Sequence, residues 1–483
     1  MKPLTADEVA AAVRGRWLRP PRDPSLSGLS TDTRTARPGD LWFALRGETF
    51  DAHDFLPRAA AADCAAAVVA RDAPQLTALD DIGAMGLLLV GDPRRALGEL
   101  AAYYRGLVAA TMVAVTGSNG KTTVKRMIEH ILSRRLAGRC SPKSFNNDVG
   151  VPLTLLSVEP SDAYAVCEVG TNAPGEIAAL GRLVRPDVAV VTSVSAAHTE
   201  KLGSVERVAV EKASLLSCLA PGGLGVIWAD NPALRRAVEV AASDAPVPPR
   251  IIGFGLSEAA ALRLTDYQPA ADGRGCARFQ INGRLWADLP LAGRHNALNA
   301  LAAIAVAQRF GWDQADAAAA LSDMPAVTMR LQRVDAGDVV IINDAYNANP
   351  ASVSAAADVL GELPARRRVL VVGDMLELGD DAVAMHRQTG RDVAARELDL
   401  LIGVGPLGRY IAEGARQGGA AIECVEDTDS AVEAVPSLLR AGDVVLVKGS
   451  RRMRLERVVD AIRRAFGGAD APSETPMHEE ADR

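Results

Sequence analysis

The sequence predicts an α/β protein made of three layered units, and three observations carry that expectation. Short apolar runs alternate with helix-period segments along nearly the whole chain. The runs are continuous rather than alternating, as strands covered on both faces require. At 483 residues the chain exceeds what one hydrophobic core supports, so two or three domains are expected.

Taken in order, the N-terminal segment reads as a capped helix. Thr5 and Glu8 supply a capping box, Leu4 and Val9 a staple, and Gly15 the stop. The runs LWFALR (41–46), AAAVVA (65–70) and GLLLVG (86–91) are strands of a first unit, closed by a helix from about Pro93 to Tyr104. A boundary at Arg105-Gly106 gives that unit residues 1–107. TMVAVTG, AYAVCEVG (163–170) and DVAVVTSVS (187–195) build a central unit over 108–328, whose polar stretch near 254–290 reads as a small antiparallel excursion. DVVIIND, RRVLVVGDM (367–375), DLLIGVG (399–405) and DVVLVKGS (443–450) form a self-sufficient α/β unit over 329–466. The tail 467–483 is rich in Pro, Gly and acid and is expected to be disordered.

Composition excludes several classes. A net charge of −7 disfavours generic nucleic-acid binding. No apolar run approaches the roughly 18 residues of a membrane span, and Asp7 and Glu8 interrupt any secretion-signal core. The six cysteines lack C-x-x-C spacing and read as buried free thiols of a reducing cytoplasm.

The chemistry starts at Thr116-Gly117-Ser118-Asn119-Gly120-Lys121-Thr122-Thr123, placed where a strand meets a helix. Backbone N–H groups and the helix N-terminus there face a polyphosphate, with Lys121 as cation and Thr122 as magnesium ligand. Val115 stands where the general G-x-x-x-x-G-K-[ST] pattern has its first Gly, so this is the shorter T-G-x-x-G-K-T-T form. SFNNDVGVP (144–152) offers Asn146 and Asn147 as neutral donors for anionic oxygens, and an ordinary Asx-rich turn explains it equally. Glu168 closes an apolar strand at the edge where α/β ligands bind; a solvated strand end is the alternative. His198, in SVSAAHTEKLGS, follows a strand read as the neighbour of the one bearing Glu168. Lys212 lies in a helical segment, where a surface lysine is the plainer reading. In LPLAGRHNALNALAAIAVAQRFG (289–311), Asn296 and Asn299 open an Ala-rich helix and suit a base, a ribose or a helix cap.

The phosphate-loop form resembles that of the Mur ligases and folylpolyglutamate synthetases, and six further segments match the Mur ligases in chain order, from about residue 28 to 457. The resemblance implies a three-domain architecture with a central phosphate-loop ATPase-type parallel sheet and a C-terminal Rossmann-like domain. It assigns Thr122 and Glu168 to one magnesium and His198 to a second, and implies that Lys212 is N-carboxylated. It places Lys121, Asn146, His198, Lys212 and Arg330 in catalysis. It gives the nucleotide Asn296, Asn299, Asp344, Tyr346 and Asn347. Ser30, Thr31, Asp32, Arg34 and His53 become a platform for a uridine diphosphate sugar, and Asp374, Lys448 and Ser450 complete the substrate contacts. DAYNANP (344–350) resembles the branch that takes D-alanyl-D-alanine, and no DNPR string marks the diaminopimelate-adding branch. The implied reaction is ATP-dependent amide formation between D-alanyl-D-alanine and a UDP-muramoyl-tripeptide, in a cytoplasmic, monomeric, bacterial enzyme.

Overall fold

The computed structural model describes residues 1–47, 50–77, 80–243, 247–269 and 276–467. The expected disordered tail falls, from residue 468 onward, outside the described residues.

The N-terminal helix, Ala6–Ala12, carries the expected capping box of Thr5 and Glu8. Its stop differs from expectation. Arg14, not Gly15, takes the left-handed conformation, with φ 52°, and the Gly15 N–H then returns to Ala10 O at 2.8 Å. The first unit holds a five-stranded sheet in the order Arg16–Arg19, Gly86–Val90, Ala66–Ala70, Asp40–Phe43, Gly28–Ser30. All neighbours are parallel except the first pair. Helix Pro93–Arg105, capped by Asp92, buries Leu97, Leu100, Ala101 and Tyr104. Those side chains belong to a cluster that also contains Leu41, Phe43 and Val68 from the first sheet and Met112, Ala165 and Val184 from the central unit. One apolar core therefore fixes the first unit against the second.

The central sheet has nine strands, ordered Leu285–Leu289, Ala277–Ile281, Leu262–Pro269, Arg250–Gly255, Leu224–Trp228, Val188–Val191, Thr111–Thr116, Tyr164–Glu168, Gly138–Cys140. The Leu262–Leu289 end is antiparallel, as the polar stretch suggested. The strand of Glu168 and the strand before His198 are not neighbours, contrary to expectation. They lie on opposite sides of Thr111–Thr116, with Glu168 beside Val115 and Val191 beside Thr116. The chain first builds strands to one side of Thr111–Thr116, and then helix Glu176–Val184 carries it across to the other. That reversal opens a crevice at the carboxyl ends of these strands, the position open α/β sheets use for ligands.

The third unit has six strands, ordered Gln332–Ala336, Val339–Asp344, Asp443–Lys448, Arg367–Gly373, Leu400–Val404, Ala421–Val425. All are parallel but the first. The four runs read as its strands are observed as Val339–Asp344, Arg367–Gly373, Leu400–Val404 and Asp443–Lys448, while the two edge strands, Gln332–Ala336 and Ala421–Val425, were not read. Val369, Val371, Val445 and Val447 are fully buried, as a sheet covered on both faces demands.

Candidate active site

The phosphate loop owes its shape to two glycines and a polar buttress. Gly117 has φ 151° and Gly120 φ 83°, and a Cβ at Gly120 would stand 2.5 Å from Asn299 Oδ1. The run Thr192–Ser195, read as the end of the strand run 187–195, lies beyond the strand, which stops at Val191, and holds the loop from behind. Ser193 O accepts from Ser118 N at 2.9 Å, Ser193 Oγ accepts from Asn119 N at 2.8 Å, and Thr192 Oγ1 donates to Asn119 O. Helix Lys121–Leu132 starts at Gly120 without a side-chain cap, so its first N–H groups remain available to an anion. Lys121 Nζ folds back to donate to Gly117 O at 2.8 Å. Desolvation lowers the Lys121 pKa, Arg330 adds to the effect, and Glu168 opposes it.

Thr122 Oγ1 donates to Glu168 Oε2 at 2.9 Å, and Asn146 Nδ2 donates to Glu168 Oε1 at 3.1 Å. Burial alone would raise the Glu168 carboxyl, but Lys125, Lys121, Arg330 and Asn146 together hold it below its ordinary value. Glu168 is 1% exposed. A hydroxyl and an ionised carboxylate in contact form a hard oxygen donor pair, which suits magnesium. The second proposed metal set is not assembled in the same way. His198, at φ 57°, stands with Nδ1 2.5 Å from Glu377 Oε2 of the third unit. That contact, against burial, holds the Glu377 carboxyl below its ordinary value. Lys212 is 1% exposed and does not line the cleft. Burial, helped by Lys121, pushes its ammonium down to about 7. Among the described residues no group of three or more His, Cys, Asp or Glu side chains is arranged to hold a metal.

The third unit closes on this floor. Arg330 donates to Thr122 Oγ1 at 2.9 Å while its guanidinium stacks 4.3 Å from the Tyr346 ring centre. Asn349 Nδ2 donates to Asn119 Oδ1 at 2.8 Å, and Thr199 Oγ1 donates to Leu378 O at 3.2 Å. Asp344 is oriented by Lys448, whose Nζ lies 2.5 Å from Asp344 Oδ2 and also donates to Asn347 O at 2.8 Å. Lys448 lines the cavity with its ammonium held by these two acceptors. Ser450 Oγ accepts from Leu376 N at 2.9 Å at the cleft wall. Asn296 does not cap its helix. Gly293 holds that position, and the Asn296 amide donates to Ala292 O and accepts from Asn299, fixing both amides beside the phosphate loop. Burial lowers the neighbouring His295 to about 4, so a neutral imidazole faces the cleft.

One cavity of about 3600 Å³ is lined by all three units, and Lys121, Glu168, His198 and Arg330 share it with Ser30, Thr31, Asp32 and Arg34. Asp32 and Arg34 pair at 2.9 Å, and Ser30 Oγ accepts from Asp32 N at 3.1 Å. Two of the expected substrate contacts are not exposed to the cavity, among the described residues. His53 is 1% exposed; its Nδ1 meets Asp51 at 2.5 Å and its Nε2 accepts from Ala70 N at 2.9 Å, so it pins the loop under the platform. Asp374 accepts from Leu407 N and Gly408 N, at 2.9 and 2.7 Å, and so caps helix Gly405–Ala415.

Residues 115–307 match the Mur ligase middle domain, and residues 329–451 match the Mur ligase glutamate ligase domain. The chain is 38% identical over 448 residues to a UDP-N-acetylmuramoyl-tripeptide–D-alanyl-D-alanine ligase of Escherichia coli, covering 91% of this chain and 94% of the relative. A crystal structure of MurF from Acinetobacter baumannii superposes with a TM-score of 0.85 at 31% identity, covering 96% of this chain and 99% of that one. MurF ligase from Thermotoga maritima in complex with ADP superposes with a TM-score of 0.76 at 26% identity, covering 92% and 98%.

Proposed function

The chain belongs to the Mur ligase family, and on that premise we propose that it uses ATP to join D-alanyl-D-alanine to a UDP-N-acetylmuramoyl-tripeptide, making the UDP-muramoyl-pentapeptide of peptidoglycan. The observation that carries the reading is the single cleft in which the phosphate loop, Glu168 and Arg330 of the third unit meet the Ser30–Arg34 platform.

A carboxylate is a poor electrophile and must be activated before an amine can attack it. The terminal carboxylate of the tripeptide takes the γ-phosphoryl group of ATP: a carboxyl O–P bond forms, the β,γ-bridging O–P bond breaks, and ADP leaves. The dipeptide amine then attacks the acyl carbon. A C–N bond forms, the C–O bond to phosphate breaks, and the amine gives up a proton. Loop amides 117–120 and the free helix N-terminus receive the β- and γ-phosphates, and Lys121 exchanges Gly117 O for a phosphate oxygen. Arg330, already at Thr122, is placed to follow negative charge on the transferred group. Thr122 and Glu168 would hold magnesium, which when bound neutralises polyphosphate charge. Asn296, Asn299 and His295 border the base, and Asp344 takes the ribose. Closure of the third unit keeps water from an acyl phosphate that it would hydrolyse.

Lys212 is the residue we assign to N-carboxylation: its neutral amine attacks CO2, an N–C bond forms and one proton is released. His198, once released by Glu377, would be the protein ligand for a second metal, which would add positive charge near the transferred phosphoryl group. Among the described residues no helix is long and apolar enough to cross a membrane, and we place the reaction in the cytoplasm, carried out by a monomer.

The test is a product assay. The protein, ATP, magnesium, D-alanyl-D-alanine and UDP-muramoyl-tripeptides ending in diaminopimelate or lysine are incubated, and products are weighed by mass spectrometry. A pentapeptide formed with one ADP per bond is expected. ATP hydrolysis indifferent to the dipeptide, with no pentapeptide, overturns the reading.

A further inference from the structure

Lys125 is a buried cation that the ligation chemistry leaves unused. It follows Lys121 by four residues on helix Lys121–Leu132, so the two side chains leave the same face. It is 0% exposed. Its Nζ donates to Ser141 O at 2.9 Å and to Lys143 O, and stands 3.2 Å from Glu168 Oε2. Two backbone carbonyls accept hydrogen bonds from this ammonium, and the Glu168 carboxylate is a third acceptor group, held opposite it as an ion pair. Those acceptors belong to the end of strand Gly138–Cys140, to the loop leading to Asn146, and to the proposed metal carboxylate. Burying a lysine carries a desolvation penalty that an apolar side chain of the same length would avoid, and a retained buried charge needs a reason.

The charges around Glu168 supply one. Lys125, Lys121 and Arg330 all act on Glu168, and Glu377 acts on Lys121 as well, so the cations outnumber the carboxylates before any ligand enters. A divalent cation alone meets net repulsion there, whereas a polyphosphate is attracted and reverses the local sign.

We propose that Lys125 is a positioning residue that locks Glu168 and the 141–147 loop to the phosphate-loop helix, and that its charge makes divalent-metal binding at Thr122 and Glu168 conditional on a bound polyphosphate. The proposal rests on the nucleotide-binding reading of the cleft and is independent of which peptide is ligated.

Manganese is the probe. It is titrated into the full chain, without tripeptide or dipeptide, and free Mn2+ is followed by electron paramagnetic resonance. The titration is repeated with ADP present, after correction for Mn2+ bound to free ADP. The parent should bind Mn2+ weakly alone and at least about tenfold more tightly with ADP. Lys125→Met should tighten binding of Mn2+ alone by about tenfold and so shrink the coupling, while Lys125→Arg should keep the parent's pattern. A merely structural role predicts the opposite sign, because a disordered Glu168 binds metal less well. A folded Lys125→Met that binds Mn2+ as the parent does, or less tightly, overturns the proposal. So does a parent whose Mn2+ affinity ignores ADP, a result that needs no variant. Should Lys125→Met fail to fold, Lys125→Gln, which can still donate to Ser141 O, carries the same expectation and the same overturning result. Ligation can fail in the product assay while this coupling stands, so the two readings are tested separately.

Discussion

The guanidinium of Arg330 donates to Oγ1 of Thr122 at 2.9 Å, tying the first residue pair of the third unit to the first turn of the phosphate-loop helix. The same group stacks on Tyr346, so its plane is held as well as its reach. Arg330→Ala should lower kcat about 100-fold with a smaller change in KM for ATP, the pattern of a donor aimed at charge that develops in the transition state. Arg330→Lys should recover little, because a point charge does not reproduce a planar, stacked fork. Steady-state kinetics at saturating tripeptide separate the two parameters.

Gly120→Ala should weaken nucleotide binding by at least about tenfold in a protein that otherwise folds. The residue sits at φ 83° and an added methyl would meet Asn299 Oδ1 at 2.5 Å. An alanine there costs about 1–2 kcal/mol in backbone conformation before the clash is counted. Titration calorimetry with ADP should show at least about tenfold weaker binding, with an unchanged circular dichroism spectrum.

Much of this arrangement could be read from residue order. Continuous apolar runs announced the parallel strands, because a strand buried on both faces has no polar alternation to blur it. Glu168 and Lys121 were legible because each closes or follows such a run. Strand order was not legible: nothing in the sequence near Glu176–Val184 tells which side of Thr111–Thr116 the next strand joins, so Glu168 and His198 were wrongly placed on neighbouring strands. The buttress at Thr192–Ser195 was missed because these residues read as the tail of the strand run 187–195, and the loop peptide groups that they face lie 73 and 74 residues away in the chain. His53 and Asp374, which the resemblance gave to the substrate, are engaged by backbone groups inside the protein. A polar side chain that satisfies a backbone group and one that awaits a substrate are identical in a sequence.

Tyr104→Phe should destabilise the protein by about 1–2 kcal/mol without touching the cleft. Tyr104 is fully buried; its hydroxyl donates to Val158 O and accepts from Lys2 N, both at 2.6 Å, and so links the first unit to the central one. Removing the hydroxyl leaves a buried carbonyl unpaired. Urea unfolding should show a lower midpoint and unaltered kcat.

Asn349 does two jobs that one substitution can separate. Its side chain caps helix Pro350–Glu362, accepting from Ser352 N at 2.9 Å, and its amide Nδ2 donates to Asn119 Oδ1 across the cleft. Asn349→Asp keeps the cap and the acceptor for Asn119 Nδ2 at 3.3 Å, but it loses the shorter of the two cross-cleft bonds and sets a carboxylate oxygen near the Asn119 carbonyl oxygen. Thermal stability should change by less than about 1 kcal/mol, while closure weakens. Small-angle scattering with ADP bound should then show a more extended particle than the parent.

Lys212 gives the protein a pH signature of definite sign. Its folded pKa, pushed down to about 7 by burial and by Lys121, lies below the unfolded value of about 10.4. Between those values the folded state holds fewer protons than the unfolded one, so this residue makes stability rise with pH across that window; below about 7 both states are protonated and the penalty for a buried ammonium is fully expressed. In CO2-free buffer the slope should approach about 1.4 kcal/mol per pH unit at its steepest, and Lys212→Met should flatten it. The neutral amine needed for carboxylation is likewise the majority form only above about 7. Isotope-labelled bicarbonate should therefore give a carbamate NMR signal that grows from pH 6 to pH 8 and is lost in Lys212→Ala. Short carboxylates should partly restore ligation to that variant by standing where the carbamate would. A labelled signal that persists in Lys212→Ala, or ligation unchanged by its loss, removes the residue from the chemistry.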